Sequence, residues 1–326
     1  MGQIAIDEQD LGYACALEIA GTTCTVRSNS PKLASTLRFW RGETERHDPD
    51  GFSMGVVVCE TGDQYPTLPH FRGLGHIVIA TFGGSNVFIF DLLRREISAT
   101  VSPQLAATPE FWNDTLFPIA IGVLGPAIGV VPVHAACLVA AGKGLLVAGA
   151  SGAGKSTLAV ALAQAGLDYV SDDWTYIGHD RRGLSAHGVG APAKLLPDAI
   201  RHFPSLARFE LSVALNGELA YLLSASEAFA ANSALSCVPR WFVFLERTSR
   251  SGCEITPIPA EQTHRYVESS VEPLPKELSA AEHNRTEIIS RIALLPSWRL
   301  RYGGTPQFAA QELSNFFSSH MEEVQS

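Results

Sequence analysis

A short glycine-rich segment constrains the fold of this chain more than any other feature. The segment GASGAGKS occupies positions 149–156 and matches the pattern G-x-x-x-x-G-K-[ST] completely. In such a loop the backbone N–H groups turn inward, and the following helix adds the positive end of its dipole, so that a phosphate is held. The run GLLVAG before the loop predicts a strand, and STLAVALAQAG after it predicts a helix. The sequence therefore predicts a nucleotide-phosphate site in an α/β core.

The residue types of this motif assign roles to its positions. Lys155 is expected to reach the β- and γ-phosphates of a nucleotide, and Ser156 is expected to bind Mg²⁺. The loop residues expected to contact the nucleotide are Gly149, Ala150, Ser151, Gly152, Ala153, Gly154, Lys155, Ser156 and Thr157.

Two adjacent aspartates, Asp172 and Asp173, follow the loop after one short predicted helix and one apolar strand. We expect them at the carboxyl end of the strand that neighbours the loop strand, where α/β sheets bind ligands. Adjacent side chains on a strand point to opposite faces, so the two carboxylates are expected to take different roles. One would hold the metal, and the other would accept a proton from an attacking hydroxyl.

A histidine precedes the loop in the apolar run VVPVHAACLVAAG, which predicts a strand, and AGKG predicts the hairpin turn into the loop strand. This residue, His134, is the candidate for a third functional side chain. A histidine in an apolar strand is more often a core residue with satisfied nitrogens, so His134 taken alone does not indicate a site.

The organisation of the chain changes near residue 107. Strand-like runs separated by turns fill the first third, and TPEFWNDTLFPIAIGVLG then predicts a helix with Thr108 as its N-cap. We therefore predict a β-rich N-terminal region over residues 1–107 and a nucleotide-binding domain over residues 108–326. Later strands are predicted in PRWFVFLERT and SWRLRYGG, and a final amphipathic helix in TPQFAAQELSNFFSSHMEEV.

Composition and charge exclude several kinds of partner. The net charge of −9 gives no general attraction to nucleic acid or to an anionic membrane. The uncharged run 116–133 has nearly the length of a membrane span, but three prolines interrupt it, so a buried helix followed by a strand is predicted. The six cysteines form no C-x-x-C pair, and the N-terminus has no signal-peptide pattern. We therefore expect reduced thiols, a cytoplasmic location, and neither a nucleic-acid nor a membrane partner.

Taken together, HAACLVAAGKGLLVAGASGAGKS and YVSDDW resemble the HPr kinase/phosphorylase family. Members carry a histidine-containing strand, a hairpin, the glycine-rich loop, a short helix and a strand ending in Asp-Asp. The resemblance covers roughly residues 133–177. It implies an α/β fold with a P-loop core related to HPr kinase and phosphoenolpyruvate carboxykinase, to which the β-rich N-terminal region is added.

The resemblance also implies roles for individual residues. Asp172 would be the general base, His134 would support it, and Lys155 would complete the catalytic set. Asp173 and Ser156 would lie near Mg²⁺. The family's later Glu-x-Arg-Gly-x-Gly segment has no match, since SAHGVGAPAKLLPD stands at that position, so one metal ligand is unassigned.

Other segments resemble divergent members of the family found in peptide-biosynthesis clusters, including lasso peptide precursor kinases. These segments are APAKLLPD, VFLER and LRYGG. The resemblance implies ATP- and Mg²⁺-dependent phosphorylation of a serine or threonine hydroxyl in a peptide or protein, by a homo-oligomer. Lys194, in GAPAKLLP, is the candidate for a second phosphate contact.

Three alternatives remain open on the sequence. The acceptor could be a small hydroxyl metabolite, or the protein could hydrolyse ATP without transfer, because SGAGKSTL is also typical of ABC transporter ATPases. Those ATPases carry an L-S-G-G-Q signature and a strand ending in Asp-Glu, whereas FVFLER ends in Glu246-Arg247. A nucleotide sensor would keep the loop but would need neither the acidic pair nor His134.

Overall fold

The computed structural model describes residues 11–41, 43–44, 50–60, 68–180 and 183–323. It is a mixed α/β structure with several sheets, and its contacts divide the chain into two compact units. Unit 1 consists of Met1–Val130 and Leu274–His283, and unit 2 of Val131–Pro273 and Asn284–Ser326.

Unit 1 is built on a seven-stranded sheet. Its strands are β1 (Tyr13–Ile19), β2 (Thr22–Ser28), β3 (Phe52–Val58), β4 (His70–Leu74), β5 (Ile77–Phe82), β6 (Asn86–Asp91) and β7 (Glu96–Val101). They lie in the order β1-β2-β3-β7-β6-β5-β4. All were predicted except β4, which falls in a stretch that the sequence favoured as turns. Every residue of β4 is exposed, so the strand shows no alternation between apolar and polar residues.

The helical segments of unit 1 cover the sheet. They are α1 (Pro31–Arg41), α2 (Pro103–Ala106), a π-helix (Phe111–Leu116), α3 (Phe117–Leu124) and two 3₁₀ helices (Gly125–Ile128 and Lys276–Ala281). Thr108 does not cap the helix that follows it, since its hydroxyl donates to the carbonyl of Gln104 in the preceding α2 (2.8 Å).

An aromatic cluster places the segment after residue 107 with the first unit. The ring of Phe111 lies 4.9 Å from Phe82, and Trp112 lies 6.2 Å from Phe88. Because these rings pack on β5 and β6, the contacts divide the chain after Val130 and not after residue 107.

The stretch Phe111–Ile128 is, within the described ranges, the one helical segment with the length and composition to cross a membrane. Half of it is buried inside the protein. It precedes a short strand that begins at Val131, in the helix-then-strand order that the sequence predicted.

Unit 2 contains thirteen strands in the described chain. They are β8 (Val131–Val133), β9 (Ala136–Ala140), β10 (Lys143–Gly149), β11 (Asp168–Ser171), β12 (Thr175–Asp180), β13 (Gly183–His187), β14 (Ala193–Leu195), β15 (Ser212–Val213), β16 (Leu219–Leu223), β17 (Ser236–Cys237), β18 (Pro239–Arg247), β19 (Gly252–Pro257) and β20 (Ser297–Gly303). They form a six-stranded sheet β11-β9-β10-β18-β20-β19, a four-stranded sheet β17-β13-β12-β8 and a three-stranded sheet β14-β16-β15.

Helices cover both faces of the six-stranded sheet. The helices are α4 (Lys155–Gln164), α5 (Ala225–Phe229), α6 (Ala260–Glu268), α7 (Glu282–Ala293, in unit 2 from Asn284), α8 (Pro306–Glu323) and two 3₁₀ helices (Pro197–Arg201 and Pro204–Arg208). Strand β10 shows the arrangement: Leu145 and Val147 pack into the core with α4 and α8, and Leu146 and Ala148 pack into the core with α6 and α7. A strand buried on both faces is apolar throughout, which is why GLLVAG was recognisable in the sequence.

Strand directions bring the candidate residues to one edge of this sheet. Strand β9 is antiparallel to β10 and to β11, so β10 and β11 run in the same direction. The carboxyl ends of β10 and β11 therefore share an edge with the amino end of β9. The prediction that the aspartate pair follows the neighbour of the loop strand was wrong, because β9 lies between β10 and β11.

Two predicted strands are each divided in the structure. The run containing His134 forms β8 and β9, which belong to different sheets. The run containing Asp172 and Asp173 forms β11 and β12, again in different sheets. The three candidate side chains thus lie where the chain leaves one sheet for another. Their directions are therefore not set by the alternation of side chains between the two faces of a strand.

Candidate functional site

The glycine-rich loop connects β10 to α4 in a conformation that accounts for its glycines. A Cβ on Gly149 would lie 2.8 Å from the carbonyl oxygen of Leu245 on β18, so no larger residue fits there. Gly152 and Gly154 have φ values of +75° and +93°, a region that favours glycine. Gly154 is also the N-cap of α4, whose first turn leaves backbone N–H groups without helical acceptors.

The side chain of Lys155 folds back over this loop. Its Nζ donates to the carbonyls of Gly149 (3.1 Å) and Ala150 (3.4 Å), and the residue is 6% exposed. Burial lowers the pKa of Lys155, against the charges of Asp173 and Asp172, which raise it. A buried cation beside the turned-in backbone of a helix N-terminus is suited to binding an anion.

Asp172 is a buried carboxylate directly after β11, with 4% of its surface exposed. Its Oδ1 accepts a hydrogen bond from the Tyr169 hydroxyl (2.7 Å), and its Oδ2 accepts one from the backbone N–H of Lys194 (3.2 Å). Burial is the largest influence on its pKa and raises it from 3.8 to about 6, aided by the charge of Asp173. Hydrogen bonds from Tyr169, Ser156 and Lys194 act in the opposite direction.

Asp173 lies in a different environment. Its Oδ1 is 2.9 Å from Nε2 of His134, whose ring stacks on Trp174 with 5.2 Å between centroids. Burial raises the pKa of Asp173, but the hydrogen bond and charge of His134 and the charges of Lys194 and Lys155 outweigh it, so the pKa is lowered. The pKa values of two adjacent carboxylates are thus moved in opposite directions, as at sites that separate acid–base roles.

The partner of His134 differs from the expected one. The family resemblance implied that His134 supports Asp172, whereas the structure pairs its imidazole with Asp173. The reason is local, because the chain turns between β11 and β12 and the two aspartate side chains diverge. Asp172 enters the core, whereas Asp173 approaches His134, which precedes β9.

A chain of hydroxyls holds the turn that carries the aspartates. The Oγ of Ser171 and the Oγ1 of Thr175 are 2.7 Å apart, and Thr175 donates to the carbonyl of Ala135 (2.7 Å). Thr175 is fully buried. The acidic turn and the residue next to His134 are therefore joined as one unit, which fixes the separation between the carboxylates and the imidazole.

Lys194 contributes to the site through its backbone. Its Nζ donates to Glu218 (2.7 Å) and to Asn216 (3.0 Å), which lie in the turn between β15 and β16. A phosphate contact by this ammonium would require it to leave these two acceptors, so that role stays a prediction.

The remaining predicted residues lie around the same loop. Ala150, Ser151 and Gly152 are exposed, Ala153 is buried, and Thr157 is half-buried in the first turn of α4. Within residues 11–41, 43–44, 50–60, 68–180 and 183–323, no group of three or more histidine, cysteine or carboxylate side chains is arranged to hold a metal.

A magnesium ion nevertheless fits the donors that are present. Mg²⁺ is bound in nucleotide sites by one or two carboxylates together with phosphate oxygens, and does not need a complete protein cage. The Ser156 hydroxyl lies within hydrogen-bonding reach of Asp172, which brings the loop serine to the acidic pair. Ser156 and Asp173, the pair that the resemblance implies, are the oxygen donors that would hold the ion, although the contact that the structure gives Ser156 is with Asp172.

Sequence reasoning missed three side chains of the site. Tyr169 holds Asp172, Trp174 holds His134, and Glu218 holds Lys194. A tyrosine in a strand buried on both faces needs a partner for its hydroxyl, so the sequence could have indicated that Tyr169 bonds to a nearby polar group. Glu218 is distant in sequence from the residue it contacts, and nothing local indicates the pairing.

The raised pKa of Asp172 predicts how stability depends on pH. The folded protein keeps the Asp172 proton up to about pH 6, while the unfolded chain releases it near pH 3.8. Between these values the folded state binds more protons, so the free energy of unfolding falls as pH rises and stays reduced above pH 6. Asp172→Asn removes the ionisation. Its amide oxygen can accept from the Lys194 N–H while its NH2 donates to the Tyr169 oxygen, and the change should stabilise the nucleotide-free protein by about 1–3 kcal/mol at pH 7.5.

Thermal denaturation with a chelator, from pH 4 to pH 8, measures this effect. The stability gained by Asp172→Asn should vanish below about pH 4, where the wild-type carboxyl is protonated in both states. A constant difference between the two proteins across the whole range would contradict the prediction.

Comparison with known proteins identifies no family for this chain. No protein-family model matches it, and no curated protein matches it. Among solved structures, one match is the Hpr(Ser) kinase/phosphatase from Coxiella burnetii, with 13% sequence identity and a TM-score of 0.31, covering 60% of this chain and 99% of that chain. A likeness of this size does not establish a function.

Proposed function

We propose that this protein is a kinase that transfers the γ-phosphoryl group of Mg²⁺-bound ATP to a serine or threonine hydroxyl of a peptide or protein. The observation that carries the proposal is the placement of Asp172. This buried carboxylate lies at the same sheet edge as the glycine-rich loop and within reach of Ser156. A phosphate-binding loop beside a carboxylate that can accept a proton contains the protein groups that phosphoryl transfer requires.

Lys155 and the loop bind the phosphates. The backbone N–H groups at the start of α4 point towards the anion, and the buried ammonium of Lys155 exchanges the carbonyls of Gly149 and Ala150 for phosphate oxygens. Ser156 and Asp173 would hold Mg²⁺, which would supply charge neutralisation at the transferred group. The hydrogen bond from His134 and the nearby charges of Lys194 and Lys155 favour the ionised form of Asp173.

Asp172 accepts the proton of the attacking hydroxyl. Its oxygens accept hydrogen bonds from fixed protein donors, Tyr169 for Oδ1 and the Lys194 N–H for Oδ2, and the Ser156 hydroxyl is a third donor. A carboxylate oxygen has two lone-pair sites, so a further site is free for the acceptor hydroxyl. Burial removes competing water, which favours abstraction from a bound alcohol over hydrolysis.

The identity of the acceptor rests on the resemblance of APAKLLPD, VFLER and LRYGG to lasso peptide precursor kinases. A peptide acceptor is therefore part of the proposal, and so are a cytoplasmic location and a homo-oligomeric assembly. The six cysteines are all free thiols, which suits a reducing compartment.

A phosphoryl-transfer assay tests this function. The protein is incubated with Mg²⁺ and γ-labelled ATP and with three kinds of acceptor: serine-containing peptides, the same peptides with alanine for serine, and small alcohols. We expect a labelled phosphopeptide only where serine is present, detected by mass spectrometry. Label found only in a small alcohol would replace the peptide by a metabolite, and release of inorganic phosphate at a rate independent of every acceptor would overturn the kinase proposal.

A further inference from the structure

Tyr169 is held more rigidly than its place in a short strand requires. Its backbone N–H donates to Asn232 and its carbonyl accepts from the Ala234 N–H, both at 2.8 Å, while Leu138 of β9 pairs with it from the other side. Its ring is 5% exposed and belongs to the core that contains α4 and α8. The phenol hydroxyl therefore has a fixed position, and it donates to Asp172.

Tyr169 and the Lys194 N–H restrain the Asp172 carboxyl group from both ends, and the Ser156 hydroxyl is a third donor to it. The terminal torsion of an aspartate is broad, so a carboxylate bonded at one oxygen can rotate about that bond. In this site Tyr169 holds Oδ1 and the Lys194 N–H holds Oδ2. The Lys194 bond is the longer of the two, at 3.2 Å against 2.7 Å, so the phenol is the stronger restraint.

We propose that Tyr169 is a positioning residue for phosphoryl transfer, whose hydroxyl fixes the plane of the Asp172 carboxylate so that a lone pair stays aimed at the acceptor hydroxyl. The inference rests on the proposed function, because it assigns Tyr169 a task only if Asp172 is the base. Burial raises the pKa of Tyr169, and the negative charge of Asp172 raises it further. The phenol therefore stays protonated and can donate.

Packing alone does not account for this residue. Phenylalanine would fill the same core volume without placing a hydroxyl beside a carboxylate. A buried hydroxyl without a partner is costly, so the Tyr169 hydroxyl and Asp172 are matched to one another. No phosphate or metal contact is required of Tyr169, since it acts through Asp172.

A double-mutant cycle tests the inference. Tyr169→Phe should lower kcat about tenfold, because a base that is free to rotate spends less time aligned with the acceptor. The KM for ATP and the nucleotide Kd should be unchanged. In an Asp172→Asn background the same tyrosine change should have no further effect on kcat, since the group that it positions is gone.

Tyr221→Phe is the matched control. Tyr221 is another buried tyrosine of the same core, with 6% of its surface exposed, and should change kcat less than twofold in both backgrounds. An equal fall in kcat on Tyr169→Phe with and without Asp172 would overturn the inference, and so would an unchanged kcat.

Failure of the proposed function gives a different result. In that case the wild-type protein transfers no phosphoryl group, or Asp172→Asn leaves transfer intact. If Tyr169→Phe does not fold, fluorotyrosine at position 169 keeps the ring and changes only the strength of the donor. A kcat that changes with donor strength while nucleotide Kd is constant supports the positioning role, and a constant kcat overturns it.

Discussion

Asp172→Asn is expected to lower the rate of phosphoryl transfer by about 10²–10⁴-fold while nucleotide affinity stays within about twofold. The amide fills the same volume, its oxygen can accept from the Lys194 N–H, and its NH2 can donate to the Tyr169 oxygen, so the site keeps its shape. It cannot accept the proton of the acceptor. Single-turnover transfer measures the rate, and calorimetric titration with a non-hydrolysable ATP analogue measures the affinity.

Asp168→Asn provides the control for this variant. Asp168 begins the same strand that Asp172 follows, lies at its opposite end and is half-buried, so its replacement should leave transfer unchanged. A rate in Asp172→Asn within tenfold of the wild type would remove Asp172 from the role of base, whatever activity the protein then has. Asp172→Asn is thus expected to lower the transfer rate and to raise the free energy of unfolding. The two measurements separate the contribution of the carboxylate to the reaction from its effect on stability.

Lys155→Met is expected to weaken nucleotide binding by about 10²-fold or more. Methionine keeps most of the apolar stem and removes the ammonium that lies over the loop carbonyls of Gly149 and Ala150. The loss should be largest for ATP, smaller for ADP and smallest for AMP, because the charge acts on the terminal phosphates. Calorimetric titration with the three nucleotides measures this order.

Lys143→Met is the matched control for charge. Lys143 begins the strand that leads to the loop and lies over the ring of Trp241, at the end of β10 opposite to Lys155. It should leave nucleotide affinity unaltered. An equal loss of affinity for ATP and AMP on Lys155→Met would indicate that the lysine holds the loop together and does not contact the terminal phosphates.

Local constraints made part of the site predictable from the sequence. The pattern of residues 149–156 demands positive φ values and a close approach between strands, which few residue types allow. The strand, loop and helix could therefore be placed to within two residues of their ends. The core strands on either side were recognisable because a strand buried on both faces is apolar along its length.

The non-local parts of the site could not be predicted in this way. Insertion of β9 between β10 and β11 depends on how a hairpin folds back onto the sheet, and sequence order does not determine this. The pairing of His134 with Asp173 depends on the turn after β11, where the chain leaves one sheet for another. Lys194 and Glu218 meet because β14 and β16 are adjacent, although two 3₁₀ helices and β15 separate them in sequence.

The division of the chain into two units has a practical consequence for shortening the protein. Leu274–His283 returns to unit 1 between two segments of unit 2, so a single cut cannot separate the two units. A fragment that begins at Val131 would retain this returning segment without the rest of unit 1, and Leu278, the one buried residue of 274–283 at 5% exposure, would be left without that unit. Fragments designed to isolate the nucleotide site should therefore replace residues 274–283 by a short polar linker, and limited proteolysis should release no single-cut domain that stays soluble.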